Sequence, residues 1–192
     1  SHIAGHVVGA VMYEIETPDR KILWTGDFDT RDSPTTHGAQ PVQADVLFME
    51  ATYGGSDHPE RAAEEQRFID RVVEVVERGG TALVPVFANG RSQDVLTLLW
   101  KSKLKLNVHF DGMGQRVTKT FLENPEFVND PKRLKEVFHW SKRVSSKSDR
   151  KKALSADVIV TTSGMLDGGP SIWYLNRLRN DPRNAILLTG YQ

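Results

Sequence analysis

The spacing of apolar positions changes character near residue 55 of this 192-residue chain. Before that point the apolar residues fall in short β-rich runs. Residues 7–16 and 21–25 flank Thr17-Pro18-Asp19-Arg20, a turn in which Pro presets φ, and they predict a hairpin. A polar segment from Asp29 to Gln43 predicts a surface loop, and Val46-Leu47-Phe48-Met49 a third strand, giving antiparallel or mixed β structure. From residue 57 the period becomes 3.6. Asp57 and Glu60 match a capping box, ahead of a helical stripe of Phe68, Ile69, Val72, Val73, Val75 and Val76 that Gly79-Gly80 stops.

Strand, loop and helix then recur at short intervals. Strands are expected at 81–87, 106–110, 156–162 and 185–189, and helices up to Lys101, near 115–123 and up to about Arg179. This alternation implies parallel βαβ units with right-handed crossovers. Pro85 inside a strand predicts an edge position or a bulge, because proline has no N–H for the ladder. The expected architecture is α/β: a β-region over 1–54, then a Rossmann-like parallel βαβ domain over 55–192, with no flexible linker between them. Both ends read as cuts, so a fragment is expected, and Ser1-His2 carries little weight.

Composition narrows the chemistry. Lys+Arg and Asp+Glu are both 25, so no net charge advertises a polyanionic partner, although a local basic groove remains compatible with that balance. Absence of cysteine excludes disulfides and thiolate zinc sites, so any metal must use His and carboxylates. It also suits a reducing compartment, and a cytoplasmic location is expected. No leader pattern and no run of about 20 apolar residues occurs, which predicts a chain outside the membrane.

Three polar residues stand where apolar runs end. His6 lies in Gly5-His6-Val7-Val8-Gly9, Asp27 in Thr25-Gly26-Asp27-Phe28, and Glu50 in Glu50-Ala51-Thr52-Tyr53-Gly54. Side chains at strand exits leave the packed layer, and His, Asp and Glu are the donors zinc takes when thiols are lacking. A surface His, a turn Asp and a solvated Glu are the plainer readings. In the second half, Asn89-Gly90-Arg91 and the loop Ser163-Gly164-Met165 through Gly169 join strands to helices, a geometry that can turn backbone N–H groups toward phosphate. Thr189-Gly190-Tyr191-Gln192 would lie on the same edge. Neither earlier loop fits a dinucleotide or Walker pattern. The basic stretch 131–152 could follow a nucleic-acid backbone or form a solvated helix face.

Taken in order, these segments resemble the β-CASP family of metallo-β-lactamase-fold nucleases, above all the archaeal homologues of the nuclease subunit of the cleavage and polyadenylation specificity factor. The motifs around His6, Asp27 and Glu50 are similar to the later metallo-β-lactamase motifs. Pro85 to Arg91, Thr162 to Met165 and Thr189 to Gln192 look like the β-CASP insert. The resemblance implies a partial metallo-β-lactamase lobe (1–54), a β-CASP domain (55–192) cut at its C-terminal end, and a parent enzyme that hydrolyses RNA with two zinc ions.

By the same resemblance His6 is a zinc ligand and Asp27 the carboxylate bridging two zincs. Glu50 partners a downstream histidine near the leaving group, and Asn89, Gly90, Arg91, Ser163, Gly164, Met165, Gly190 and Tyr191 line the RNA path. The family's His-x-His-x-Asp-His motif and two later histidine motifs are not in the chain, so it is expected to bind zinc weakly and to cleave no RNA alone. RNA is the implied partner, a membrane is not, and a homodimeric parent is compatible with the pattern. A non-catalytic RNA-binding or scaffold subunit, a DNA-directed relative and a plain nucleotide-binding module are the rival readings.

Overall fold

The computed structural model describes residues 1–190. Two sheets carry the chain, and they are built differently. The first has the order β1-β2-β3-β4, formed by His2–Ile3, Val11–Glu16, Lys21–Trp24 and Val46–Phe48. β2 and β3 make the expected hairpin with Tyr13 opposite Trp24, closed by Thr17, whose N–H donates to the Arg20 carbonyl. β4 runs parallel to β3, so this region is mixed β. Residues 7–10, expected as strand, instead form a tight loop, because Gly5 and Gly9 both take positive φ (74° and 89°) and end the extended path.

The second sheet is parallel throughout, with order β7-β6-β8-β5-β9. Its strands are β5 (Ala82–Pro85), β6 (Val108–Asp111), β7 (Lys142–Arg143), β8 (Val158–Thr161) and β9 (Ala185–Ile186). Helices α1 (Arg61–Glu77), α2 (Arg91–Lys101), α3 (Gly114–Glu123), α4 (Pro131–Trp140), α5 (Lys147–Lys152) and α6 (Gly169–Leu178) complete it. Every residue of β5, β6 and β8 is buried, as expected of parallel strands covered on both faces. Strand alternation sorts them into two layers: Val84, Val160 and Phe110 pack with Val72 of α1 and Leu96 of α2. Leu83 and Ile159 turn the other way, onto Tyr174 and Leu178 of α6.

Two local expectations are corrected and a third is refined. The N-cap of α1 is Glu60, which accepts from Ala63 N–H at 2.7 Å, and Asp57 takes no part. The helix begins one turn later than Asp57 would place it. Its far end behaves as expected: Gly79 (φ 73°) and Gly80 donate to the carbonyls of Val76 and Val75, closing a Schellman motif. Pro85 lies inside the sheet, not at its edge. Val86 N–H bonds Thr161 O, so by alternation Pro85 faces the β9 side, where pairing has already ended at Leu83–Ile186. The missing donor therefore costs no ladder bond. Finally, the basic stretch 131–152 forms α4, β7 and α5, and its lysines are exposed as in a solvated face, while one arginine turns inward. Its Arg150 reaches inward to Asp111 through Nε (2.6 Å) and Nη2 (3.1 Å), and Tyr174 Oη donates to the same carboxylate at 2.9 Å.

The two sheets meet at a few points. Asn129 donates from its backbone N–H to Thr35 O and from Nδ2 to Ser33 O (3.0 and 2.9 Å). Val8 packs on the cluster of Phe121, Val128 and Leu134. Residues 51–60, between β4 and α1, are all exposed.

Candidate functional site

Glycine geometry presents His6 and Asp27. Gly5 sits at φ 74° with its α-carbon pressed on the next loop: a methyl there would stand 2.1 Å from Asp29 O and 2.7 Å from Ala39 N. Asp29 N–H donates to Ala4 O and Ala39 N–H to Asp29 O, so the loops bearing His6 and Asp27 are bonded side by side. Gly26, at φ 55°, turns the chain out of β3 immediately before Asp27. Both side chains are exposed, and neither makes a hydrogen bond or ion pair among the described residues.

Glu50 follows β4. Thr52 N–H donates to its Oε2 at 2.8 Å, and its own N–H reaches Thr25 Oγ1 at 3.4 Å. The Thr52 backbone bond, then the Thr52 side chain, with the nearby His6 adding a smaller pull, hold the Glu50 carboxyl below the usual range. Glu50 is thus kept ionised, suited to orienting or accepting from an imidazole rather than to giving up a proton. Glu50 lies close enough to His6 to feel it, and the His6 and Asp27 loops are joined. Among the described residues, however, no three His, Cys, Asp or Glu side chains converge as metal donors. The residues present do not by themselves fit a resident metal centre.

The second group gathers at the carboxyl ends of β5 and β8. Gly90, at φ 77°, starts α2, and a methyl on it would stand 2.9 Å from Val7 Cγ1, which sets the Asn89–Arg91 loop against the His6 loop. The first N–H groups of α2 are spent inside the protein: Ser92 N–H on Phe87 O, and Gln93 and Asp94 N–H on Gly90 O. The side-chain cation of this loop is the Arg91 guanidinium, which makes no ion pair among the described residues. In the loop after β8, Ser163 N–H bonds Ser171 Oγ and its hydroxyl bonds Asp167, while Met165 remains 45% exposed. Gly164 and Gly190 both pack on Phe87, a residue sequence reasoning passed over, whose side chain is 40% exposed. Its signal was present: an aromatic ring directly after a buried strand, at the crevice edge. Tyr191 lies outside the described residues.

This combination is an α/β scaffold whose candidate residues collect at strand exits along a junction between two sheets. Residues 94–192, just over half of the chain, match the Beta-Casp domain, and the chain belongs to the β-CASP family. It is 39% identical to Probable RNase MJ4 of Methanocaldococcus jannaschii, over 98% of this chain and 46% of that protein. RNase aCSPSF2 of Saccharolobus solfataricus is 38% identical over 98% of this chain and 39% of its own length. Cleavage and polyadenylation specificity factor subunit 3 of Dictyostelium discoideum is 36% identical over 98% of this chain and 26% of that protein. The chain thus spans less than half the length of these relatives.

Proposed function

We propose that this chain is part of a zinc-dependent nuclease that hydrolyses RNA phosphodiester bonds, of the kind used in mRNA 3′-end processing or RNA decay. The observation that carries the reading is the pair of cross-bonded glycine turns that hold His6 and Asp27 out of the packed layer beside the ionised Glu50. Relatives named as ribonucleases support it. His6 and Asp27 are proposed as two zinc donors completed by groups outside residues 1–192, Asp27 and Glu50 as catalytic residues, and Asn89, Gly90, Arg91, Ser163, Gly164, Met165, Gly190 and Tyr191 as the RNA path. The division into a metallo-β-lactamase portion (1–54) and a β-CASP domain (55–192), a cytoplasmic location and a homodimeric parent belong to the same proposal. Among the described residues no helix is long and apolar enough to cross a membrane.

The test is cleavage of a labelled single-stranded RNA by a polypeptide of the relatives' length that contains this segment. His6→Ala, Asp27→Asn and Glu50→Gln are each expected to cut the rate at least about a hundredfold while RNA binding persists. The 192-residue chain alone is expected to bind zinc weakly and leave RNA intact. Robust cleavage by that chain, lost in Asp27→Asn, would overturn the second statement. RNA binding without cleavage by the longer protein would favour the scaffold reading.

A further inference from the structure

Thr25 stands between the strand exits that deliver Asp27 and Glu50, and its side chain is bonded to both. Its N–H donates to Phe48 O at 3.0 Å, which extends the parallel pairing of β3 with β4 by one bond. The next rung of a regular parallel ladder would run from Glu50 N–H to the Thr25 carbonyl. Here the Thr25 hydroxyl takes the place of that carbonyl and accepts from Glu50 N–H at 3.4 Å. Its own proton goes to Gly26 O at 2.7 Å. With a side-chain oxygen in place of a backbone one, the two chains part while the Glu50 N–H keeps an acceptor.

Both bonds fall on peptide units that carry the candidate site. Gly26 O belongs to the peptide that enters Asp27, directly after the turn at φ 55°. The Glu50 N–H belongs to the peptide that enters Glu50, whose carboxylate is held in turn by Thr52 N–H at 2.8 Å. One hydroxyl therefore bears on the direction in which each acid leaves the sheet. Thr25 is 3% exposed, so water competes little for these bonds. Packing alone does not call for the hydroxyl, because valine has nearly the same shape and is as well suited to a strand.

We propose that Thr25 is a positioning residue, whose hydroxyl sets Glu50 relative to Asp27. That the two acids act on RNA rests on the function proposed above, whereas the tie between them holds whatever reaction they serve. Misplacing a reacting group by about 1 Å can cost about a hundredfold in rate, so loss of the tie should register in turnover before it registers in substrate binding.

The experiment compares Thr25→Val, which keeps the shape and removes both bonds, with Thr25→Ser, which keeps the hydroxyl, in a polypeptide of the relatives' length that contains this segment. A cooperative thermal melt establishes that each variant is folded. Followed by NMR in glutamate-labelled protein, the Glu50 amide should exchange with solvent at least about fivefold faster in Thr25→Val and at the wild-type rate in Thr25→Ser. In cleavage of a labelled single-stranded RNA, Thr25→Val should lower kcat at least about tenfold with KM within about twofold, and Thr25→Ser should restore most of the rate. Placed on Glu50→Gln, Thr25→Val should cost less than about threefold, because a residue that acts through Glu50 then has little left to position. Unchanged Glu50 exchange in Thr25→Val, a loss that Thr25→Ser does not recover, or equal losses in both Glu50 backgrounds would overturn the proposal. Absence of cleavage by the wild-type protein would count against the proposed function instead, and the Glu50 exchange rates would then decide the role of Thr25 by themselves.

Discussion

The two sheets divide the work of the chain in opposite ways. In the parallel sheet, β5, β6 and β8 are buried at every position and helices cover both faces. In the first sheet, Tyr13, Ile15, Trp24 and Phe48 alternate onto one face and stay about half exposed, with Trp24 and Phe48 stacked at 5.3 Å. The proposed zinc donors and catalytic residues, His6, Asp27 and Glu50, hang from the loops of the less covered sheet. The contrast teaches that stability and the proposed metal-donor and acid groups are held apart here: the parallel sheet supplies the rigid frame, and the other presents His6, Asp27 and Glu50 on its loops.

If so, truncation must cost far more in the frame. Phe110→Ala, at a ring that is 0% exposed, should destabilise the protein by about 3–5 kcal/mol, whereas Phe48→Ala on the open face should cost less than about 1 kcal/mol. Urea unfolding of both variants measures the difference, and equal losses would erase the distinction between the sheets.

Next in size is the polar tie that crosses the frame. Asp111, at the end of β6, joins Arg150 of α5 to Tyr174 of α6, and burial with the neighbouring Asp111 charge pushes the Tyr174 hydroxyl pKa well above its ordinary value. Asp111→Ala would strand the guanidinium and the phenol together. Because the Arg150 side chain keeps 32% of its surface in water, the cost should be about 2–3 kcal/mol rather than that of a fully buried pair. An unfolding free energy within about 0.5 kcal/mol of wild type would show the tie to be decorative.

How far the sequence discloses this follows from which forces are local. The hairpin at Thr17–Arg20, the stop at Gly79-Gly80 and the parallel alternation were legible because turn chemistry and periodicity are written in neighbouring residues. Asp111, Arg150 and Tyr174 lie 24 to 63 positions apart, and nothing local announces their meeting. Pro85 misled for a related reason: the ladder side on which its nitrogen falls depends on where β9 ends, a fact about a strand a hundred residues away. At the candidate site, residue identities could be read from glycine-framed motifs, but the satisfaction of the α2 N–H groups by Phe87 and Gly90 could not. Phe87 and Asp94 were passed over because an aromatic after a strand and an acid in a first helical turn are both ordinary until burial is known.

Asp94 gives the third contrast, between a frame residue that stabilises and one that does not. Burial is the main cause that raises its pKa from 3.8 to about 6, against the pull of the Arg91 and Arg61 charges; the like charge of Glu65 adds to the rise, and Lys101 opposes it weakly. A carboxyl whose folded pKa lies above its unfolded value favours the folded state below about pH 4, and that advantage is lost as pH rises through about 6. The cost above pH 6 is removed by Asp94→Asn, which should therefore stabilise the protein by about 1–2 kcal/mol at pH 7, allowing for its partial exposure, and by almost nothing at pH 4. Unfolding curves at the two pH values decide it. A constant gain would point to packing instead of charge.

The smallest effect separates two acids at the start of α1, where the frame begins. Glu60 accepts from the N–H groups of Ala62 and Ala63, which hold its carboxyl below the usual range, while Asp57 makes no cap. Being depressed in the folded state, the Glu60 pKa contributes stability above its ordinary value of 4.5, lost as pH falls through the folded value. Glu60→Ala should lower the Tm by a few degrees at most at pH 7 and by less near pH 3, since the residue is exposed and water competes for the same N–H groups. Asp57→Ala should leave the Tm unchanged at both pH values. A reversed order, with Asp57→Ala the costlier change, would return the helix start to the position that the capping-box pattern suggests and would lengthen α1 toward β4.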